Sequence, residues 1–314
     1  MMGTGPFAVP TFKALLRSRL PVVALITRPP RPAHGKATAV ANPMRLVAEE
    51  QGLPTFDPED VNSPAGREVI ERLAPELMVV CDYGQILAPQ TLSLARLGGI
   101  NLHASLLPKY RGAAPINWAI YHDEAETGIT VIHMTPRVDA GPALAQAATP
   151  IGPDETAVEL EHRLAELGAP IVLQTIEDLA AGREQSLPQD PALATKARRL
   201  KKTDGQIDWR FSARQLKNQV RAMEPWPKTY TFWRRSAGAP LRLILGKVEV
   251  LPEPAGNPPG AVIESGNGSL IVATGEGAIR ILQLQPAGKR LLSADEFLLG
   301  YPVKAGDRFG PEEA

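Results

Sequence analysis

The feature that most constrains this chain is a change of rhythm past its middle. Up to residue 181, short apolar runs alternate with longer amphipathic stretches; beyond residue 205, runs rich in Val, Ile and Leu follow one another with Gly and Pro between them. The first pattern is that of βαβ units around a parallel sheet, whose strands are covered on both faces and so read as continuous apolar runs. The second is that of a small antiparallel barrel. The fold class expected is α/β, with a β-rich second domain. Strands are predicted at 22–27, 77–81, 99–103 and 129–134, with 144–149 pairing the last of these. Helices are predicted at 43–51, 64–73, 91–96, 114–122 and 156–181, the longest weakened at Gly168 and stopped by Gly182. After a helix at 213–223, further strands are expected at 241–251, 260–264, 269–274 and 278–284. The stretch 183–204 is polar and basic and lacks apolar periodicity, so it reads as a linker.

A chain of 314 residues is long for one core, and roughly 100–200 residues per domain implies two. Lys plus Arg equal Asp plus Glu at 34 each, so any nucleic-acid contact must come from a local patch. Such a patch runs from Arg183 to Arg235, with thirteen Lys or Arg against five Asp or Glu. The single cysteine, Cys81, excludes an internal disulfide and offers no metal-ligand spacing. Together with the lack of a basic and apolar leader ahead of Gly3, this points to a reducing cytoplasm. No apolar run approaches the ~20 residues of a membrane helix, so no membrane partner is expected.

The densest chemistry lies in Asn101-Leu102-His103-Ala104-Ser105-Leu106-Leu107-Pro108-Lys109-Tyr110-Arg111-Gly112. On a strand, residues two apart share a face, so Asn101 and His103 project together near its carboxyl end. Parallel α/β sheets place ligands beyond the carboxyl ends of their strands. Asn brings a neutral amide donor, and His a donor that exchanges protons near neutral pH. That pair suits acyl transfer through an oxyanion, and equally a buried Asn and His satisfied by backbone. A second loop, Thr135-Pro136-Arg137-Val138-Asp139-Ala140-Gly141, places Asp139 near its tip, either to orient His103 or to cap its own turn.

The long pattern Asn-x-His-x-Ser-Leu-Leu-Pro-x-x-x-Gly, followed by Asp139-Ala140-Gly141, resembles the signature of the 10-formyltetrahydrofolate-dependent formyltransferases. Phe7-Ala8-Val9-Pro10, Tyr83-Gly84-Gln85-Ile86-Leu87 and Gly112-Ala113-Ala114-Pro115-Ile116 extend the likeness. Further on, Leu200-Lys201-Lys202-Thr203-Asp204-Gly205-Gln206-Ile207-Asp208-Trp209, Pro225-Trp226-Pro227 and Leu284-Gln285-Pro286-Ala287-Gly288-Lys289 resemble the members that act on initiator Met-tRNA. The resemblance implies a Rossmann-like, mostly parallel catalytic domain over 1–182, a basic linker over 183–204, and an OB-like β-barrel over 205–314 that helps hold tRNA. It implies Asn101, His103 and Asp139 as catalytic residues, Ser105, Leu106, Leu107 and Pro108 as the wall of the folate pocket, and Ile86 and Leu87 on the pterin side. Lys36, Lys201 and Lys202 are the tRNA-contact candidates. The reaction would consume 10-formyltetrahydrofolate, release tetrahydrofolate and need no metal, and a monomer is expected.

Three departures from the family pattern stand out. Only Met1 precedes Met2-Gly3-Thr4, which leaves the first strand cut short. The turn reads Gly3-Thr4-Gly5-Pro6-Phe7 where the family has Gly-Thr-Pro-acidic-Phe. The loop 34–41, normally rich in Arg and Lys, has Lys36 as its only Lys or Arg. Other readings stay open. Gly3-Thr4-Gly5-Pro6-Phe7-Ala8 fits the dinucleotide turn Gly-x-Gly-x-x-Ala, although Thr27-Arg28-Pro29 stands where a ribose-binding acid would be. A formyltransferase for another amine, such as a sugar nucleotide, or a tRNA-binding module without catalysis, would share parts of the pattern.

Overall fold

The computed structural model describes residues 1–30, 42–235, 239–252 and 256–312. By contacts the chain divides into two compact units: Met1–Pro115, Glu126–Pro150 and Glu159–Arg198 form one, and Ile116–Ala125, Ile151–Val158 and Arg199–Ala314 the other. Among the described residues, no helix is long and apolar enough to cross a membrane.

In the first unit, β1 (Leu25–Ile26) pairs in parallel with β2 (Thr55–Phe56), and β3 (Met78–Val80) in parallel with β4 (Gly99–His103). Met2 joins the two pairs, bridging Ile26 on one side and Val80 on the other, so one residue holds the place of a first strand. All three residues of β3 are buried, as a strand covered on both faces requires. A two-residue strand, β5 (Arg111–Gly112), follows. Then β6 (Glu126–His133) pairs antiparallel with β4, and β7 (Ala143–Pro150) antiparallel with β6. The parallel pairing therefore ends at β4, and β6 and β7 complete the sheet as an antiparallel edge.

Helices α1 (Val9–Arg17), α2 (Pro43–Glu50), α3 (Pro64–Leu73), α4 (Pro89–Leu92), α5 (Pro115–Tyr121) and α6 (Ala157–Ala180) fill the intervals. Asn42 and Ser63 cap α2 and α3, each accepting from backbone N–H groups of the first turn. Gly168 is a packing site within α6. A Cβ there would stand 2.7 Å from Leu102 Cδ2, so its absence lets the helix backbone lie close against β4. Leu102 alternates with Asn101 and His103, and α6 thus braces the face of β4 opposite to theirs.

The stretch 183–198 does not run free. Leu187 exchanges two backbone hydrogen bonds with Ala143, and β8 (Lys196–Ala197) pairs in parallel with β5. Polar composition conceals this, because backbone pairing asks little of side chains.

In the second unit, helix α7 (Ala213–Ala222) opens on a capping box between Ser212 and Gln215. The strands β9 (Thr229–Arg234), β10 (Leu241–Leu251), β11 (Val262–Gly266), β12 (Ser269–Ala273), β13 (Ala278–Pro286), β14 (Leu292–Ser293) and β15 (Arg308–Gly310) form one antiparallel sheet in the order β11-β12-β13-β10-β9-β15, with β14 on β13. The sheet curls. Register shifts around Gly246 bend β10, and backbone bonds from Val262, Gly306 and Phe309 join the two edges. Inside lie Leu243, Leu245, Ile279, Ile281 and Leu284, with Phe297 of α8 (Ala294–Gly300).

Candidate active site

The candidate site is built on β4. Asn101 faces Ile132 and His103 faces Thr130 across the antiparallel pair. Among the described residues, the Asn101 side chain has no hydrogen-bond partner, and it is only partly buried. His103 is buried, and its Nε2 lies 2.9 Å from the carbonyl oxygen of Tyr110. A carbonyl only accepts, so Nε2 carries the hydrogen and donates, which makes Nδ1 the nitrogen that gains and loses a proton.

Nδ1 faces Asp139, whose Oδ2 is 3.7 Å away. That is too long for a hydrogen bond and close enough for charge to be felt. Because β6 runs antiparallel, its end at His133 lies beside Ile100, at the start of β4. Asp139 lies in the loop that follows β6, and this loop returns to bring its carboxylate to His103. The residue takes a left-handed φ of 49°, and its Oδ2 accepts the N–H of Gly112 at 2.8 Å. Gly141 is required by close approach, since a Cβ there would meet the carbonyl oxygen of His133 at 1.7 Å. Gly112, at φ 126°, likewise has no room for a Cβ, which would fall 2.4 Å from Ala197 O.

The loop after His103 is a braced structure. Ser105 is fully buried and donates its hydroxyl to Lys109 O at 2.7 Å. Thr130 Oγ1 donates to Ser105 O and accepts from Leu107 N, while Gln146 Nε2 donates to Leu107 O. Leu107 is buried, so Leu106 and Pro108 are the partly exposed members of that run. Leu87 is a core residue at 1% exposure, whereas Ile86 is 64% exposed. His133 donates through Nε2 to Leu97 O, and His122 and His162 are exposed, as their sequence positions imply.

The turn at the amino end is occupied by its own chain. The N–H groups of Thr4 and Gly5 both point to Asp82 O, at 3.0 and 3.4 Å. A Cβ on Gly5 would fall 1.7 Å from Asp82 Oδ2, so this glycine makes room for a carboxylate. A pyrophosphate needs those N–H groups free, which removes the support for the dinucleotide reading. Lys201 and Lys202 are exposed at the turn Lys202–Gly205, and Lys36 lies outside the described residues.

The site uses groups whose roles the motif does not mark: the Tyr110 carbonyl, the N–H of the motif's own Gly112, and Gln189, which donates to Asp139 O and Gly141 O. The first two are backbone groups, which leave no mark on sequence.

Comparison with known proteins places both halves of the chain in one family. Residues 1–176 match the family model described as formyl transferase, and residues 199–302 match that of the formyl transferase C-terminal domain. The chain is 40% identical to the methionyl-tRNA formyltransferase of Citrifermentans bemidjiense over 313 residues, covering 100% of this chain and 96% of that one. It is 42% identical to the methionyl-tRNA formyltransferase of Rhodopirellula baltica over 322 residues, covering 98% and 95%. Among solved structures, the sugar 3N-formyl transferase WlaRD, crystallised in the presence of dTDP and 5-N-formyl-THF, shares the fold, with a TM-score of 0.65 at 17% identity over 92% of this chain and 97% of that one. With its motif residues gathered around one strand and both of its halves matched, this chain belongs to the formyl transferase family.

Proposed function

We propose that this chain transfers the formyl group of 10-formyltetrahydrofolate to the amino group of methionine on initiator Met-tRNA, releasing tetrahydrofolate. The observation that carries this reading is full-length similarity to methionyl-tRNA formyltransferases, extending through the second unit as well as the first. The formyl donor is a substrate, and the donor set suits it: an Asn101 amide without a partner among the described residues stands on the same strand face as His103 Nδ1.

In the reaction the neutral methionyl amine attacks the formyl carbon, and the bond from that carbon to folate N10 breaks. The proton leaving the amine ends on N10, so no other reactant is needed. Asn101 donates to the developing oxyanion, and protonated His103 donates through Nδ1, because Nε2–H is committed to Tyr110. Asp139 balances the charge of His103 and relays the amine's proton. Leu106 and Pro108 supply the exposed part of the pocket wall, while Ser105 and Leu107 hold the loop in shape. Residues 1–182 carry the chemistry; the linker 183–204 and an OB-like barrel over 205–314 hold tRNA. The protein acts as a monomer in the cytoplasm.

Turnover measured with charged initiator tRNA, charged elongator tRNA and an amino-sugar nucleotide tests the acceptor. Initiator tRNA is expected to be preferred, and preference for the sugar nucleotide would overturn the reading. The tRNA contact has its own expected result. Counterion release gives a slope of about −0.9 per phosphate contact on duplex. Removing Lys201 and Lys202 together flattens the salt dependence of tRNA affinity by roughly two units, whereas Lys36→Ala flattens it by about one at most. Folate affinity stays the same in both. An unchanged slope in the double variant would mean that these lysines touch no phosphate.

A further inference from the structure

Asp139 is useful to His103 only while its loop holds the carboxylate at Nδ1, and one side chain from a distant segment ties that loop down. Gln189 Nε2 donates to Asp139 O at 2.8 Å and to Gly141 O at 2.6 Å. Its Oε1 accepts from Arg111 Nε at 3.1 Å and Nη2 at 2.7 Å. The orientation of the amide is forced, since two carbonyls need a donor and a guanidinium needs an acceptor. Arg111 immediately precedes Gly112, whose N–H holds Asp139 Oδ2 at 2.8 Å. The carboxylate and its own backbone are thus fixed from one short strand, directly through Gly112 and indirectly through Arg111 and Gln189.

The segment that carries Gln189 is anchored on both sides. Leu187 exchanges backbone bonds with Ala143 at 2.8 and 2.9 Å, and Thr195 O accepts Arg111 N at 2.9 Å. Tyr110, whose carbonyl sets the tautomer of His103, donates its N–H to Thr195 Oγ1 at 2.8 Å. One strap, residues 187–197, therefore touches the loop that positions His103 and the loop that positions Asp139.

We propose that Gln189 is a positioning residue for formyl transfer, clamped by Arg111 and acting through the Asp139 loop. This rests on the assignment of Asp139 to the reaction. A loop released by a fraction of an ångström leaves ground-state binding intact and spoils the arrangement that the transition state needs.

The test is a double-mutant cycle on the full chain, with turnover, KM for both substrates and thermal melting read for each variant. Gln189→Ala is expected to lower kcat roughly tenfold, with both KM values within about twofold. Gln189→Glu keeps the acceptor for Arg111 and loses both donors, so it is expected to fall as far. Arg111→Met, which leaves Gln189 in place but unclamped, is expected to lower kcat by a smaller factor in the same sense. In an Asp139→Asn background, Gln189→Ala is expected to cost less than about twofold, because what it positions is already gone. Wild-type kcat in folded Gln189→Ala, or the same tenfold loss in both backgrounds, would overturn the inference. Should Gln189→Ala fail to fold, Gln189→Glu and Arg111→Met carry the same cycle. Wild-type turnover in Asp139→Asn alone would instead overturn the assignment beneath it, and this inference with it.

Discussion

Asn101→Ala is expected to lower turnover by about 100-fold or more while leaving the fold intact, and His103→Ala to do the same to turnover. A preorganised donor to an oxyanion is worth roughly 3–4 kcal/mol in the transition state, and much less against the neutral formyl carbonyl. The loss should therefore appear in kcat and in kcat/KM, with little change in the KM for the formyl donor. The two variants differ in what else they disturb. Among the described residues the Asn101 side chain has no partner, so its removal breaks no hydrogen bond there. His103 makes a 2.9 Å bond to the carbonyl of Tyr110 in a buried setting, and its loss removes that bond at a cost of roughly 0.5–1.5 kcal/mol. Asn101→Ala is accordingly the cleaner probe, and His103→Ala should melt at a lower temperature as well as turn over slowly. A folded Asn101→Ala protein with near-wild-type turnover would remove the catalytic assignment of that residue.

The second large effect is on stability, at the amino end. The Met1 amine donates to Ala24 O at 3.0 Å, and burial pushes it down from its ordinary value of 8.0 to about 5. Between those values the unfolded chain takes up a proton that the folded chain refuses, so the amine's contribution to stability falls as pH falls from 8 to 5. Burial raises the Asp82 carboxyl to about 7, which acts in the opposite sense below pH 7 and is shared by a chain extended ahead of Met1. At about 1.4 kcal/mol per pH unit the loss from the amine comes to roughly 4 kcal/mol, and below pH 5 it grows no further because both states are then protonated. An extension of a few apolar residues ahead of Met1 turns the amine into an amide and removes this dependence. It also has somewhere to go: a cavity of about 230 Å³ beside Met1 is lined by Leu20, Val22, Ala24, Leu73 and Leu77. Added strand there would continue the parallel pairing that Met2 makes with Ile26 and Val80. Denaturant melts of the two chains at pH 8, 6.5 and 5 decide the matter. Equal slopes with pH, or no gain in midpoint on extension, would show that the amine is not the titrating group and that the cavity takes no strand.

Much of this architecture was legible in the sequence. The predicted helix at 64–73 matches the observed α3 (Pro64–Leu73), and the predicted strand at 241–251 matches the observed β10 (Leu241–Leu251). Each carries its boundary signals in cis: Ser63 and Pro64 open α3, and Pro240 and Pro252 flank β10. The helix α1, the strand β9 and the helix α8 were not predicted. The helix α1 starts behind Ala8 with no side-chain cap, so its beginning carries no cap signal in the sequence. The strand β9 is short, mixed in polarity, and held between β10 and β15, so its partners rather than its composition make it a strand.

At the site, the sequence by itself determined which side chains share a face. Asn101 and His103 project together because a strand repeats every two residues, and no tertiary contact is needed for that. It also marked Asp139, through a turn bracketed by Pro136 and Gly141, and the change from alternating elements to short β runs. Three features were decided only by tertiary structure: the tautomer of His103, the anchoring of the Asp139 carboxylate, and the recruitment of Gln189. They depend on the Tyr110 carbonyl, on the Gly112 N–H 27 residues from Asp139, and on Gln189 50 residues from it and 78 from Arg111. Every residue but proline carries the same backbone donor and acceptor, so no pattern of side chains says which carbonyl a histidine will find. Pairings across such separations are set by where the sheet and its loops bring the backbone, and that is a property of the folded chain alone.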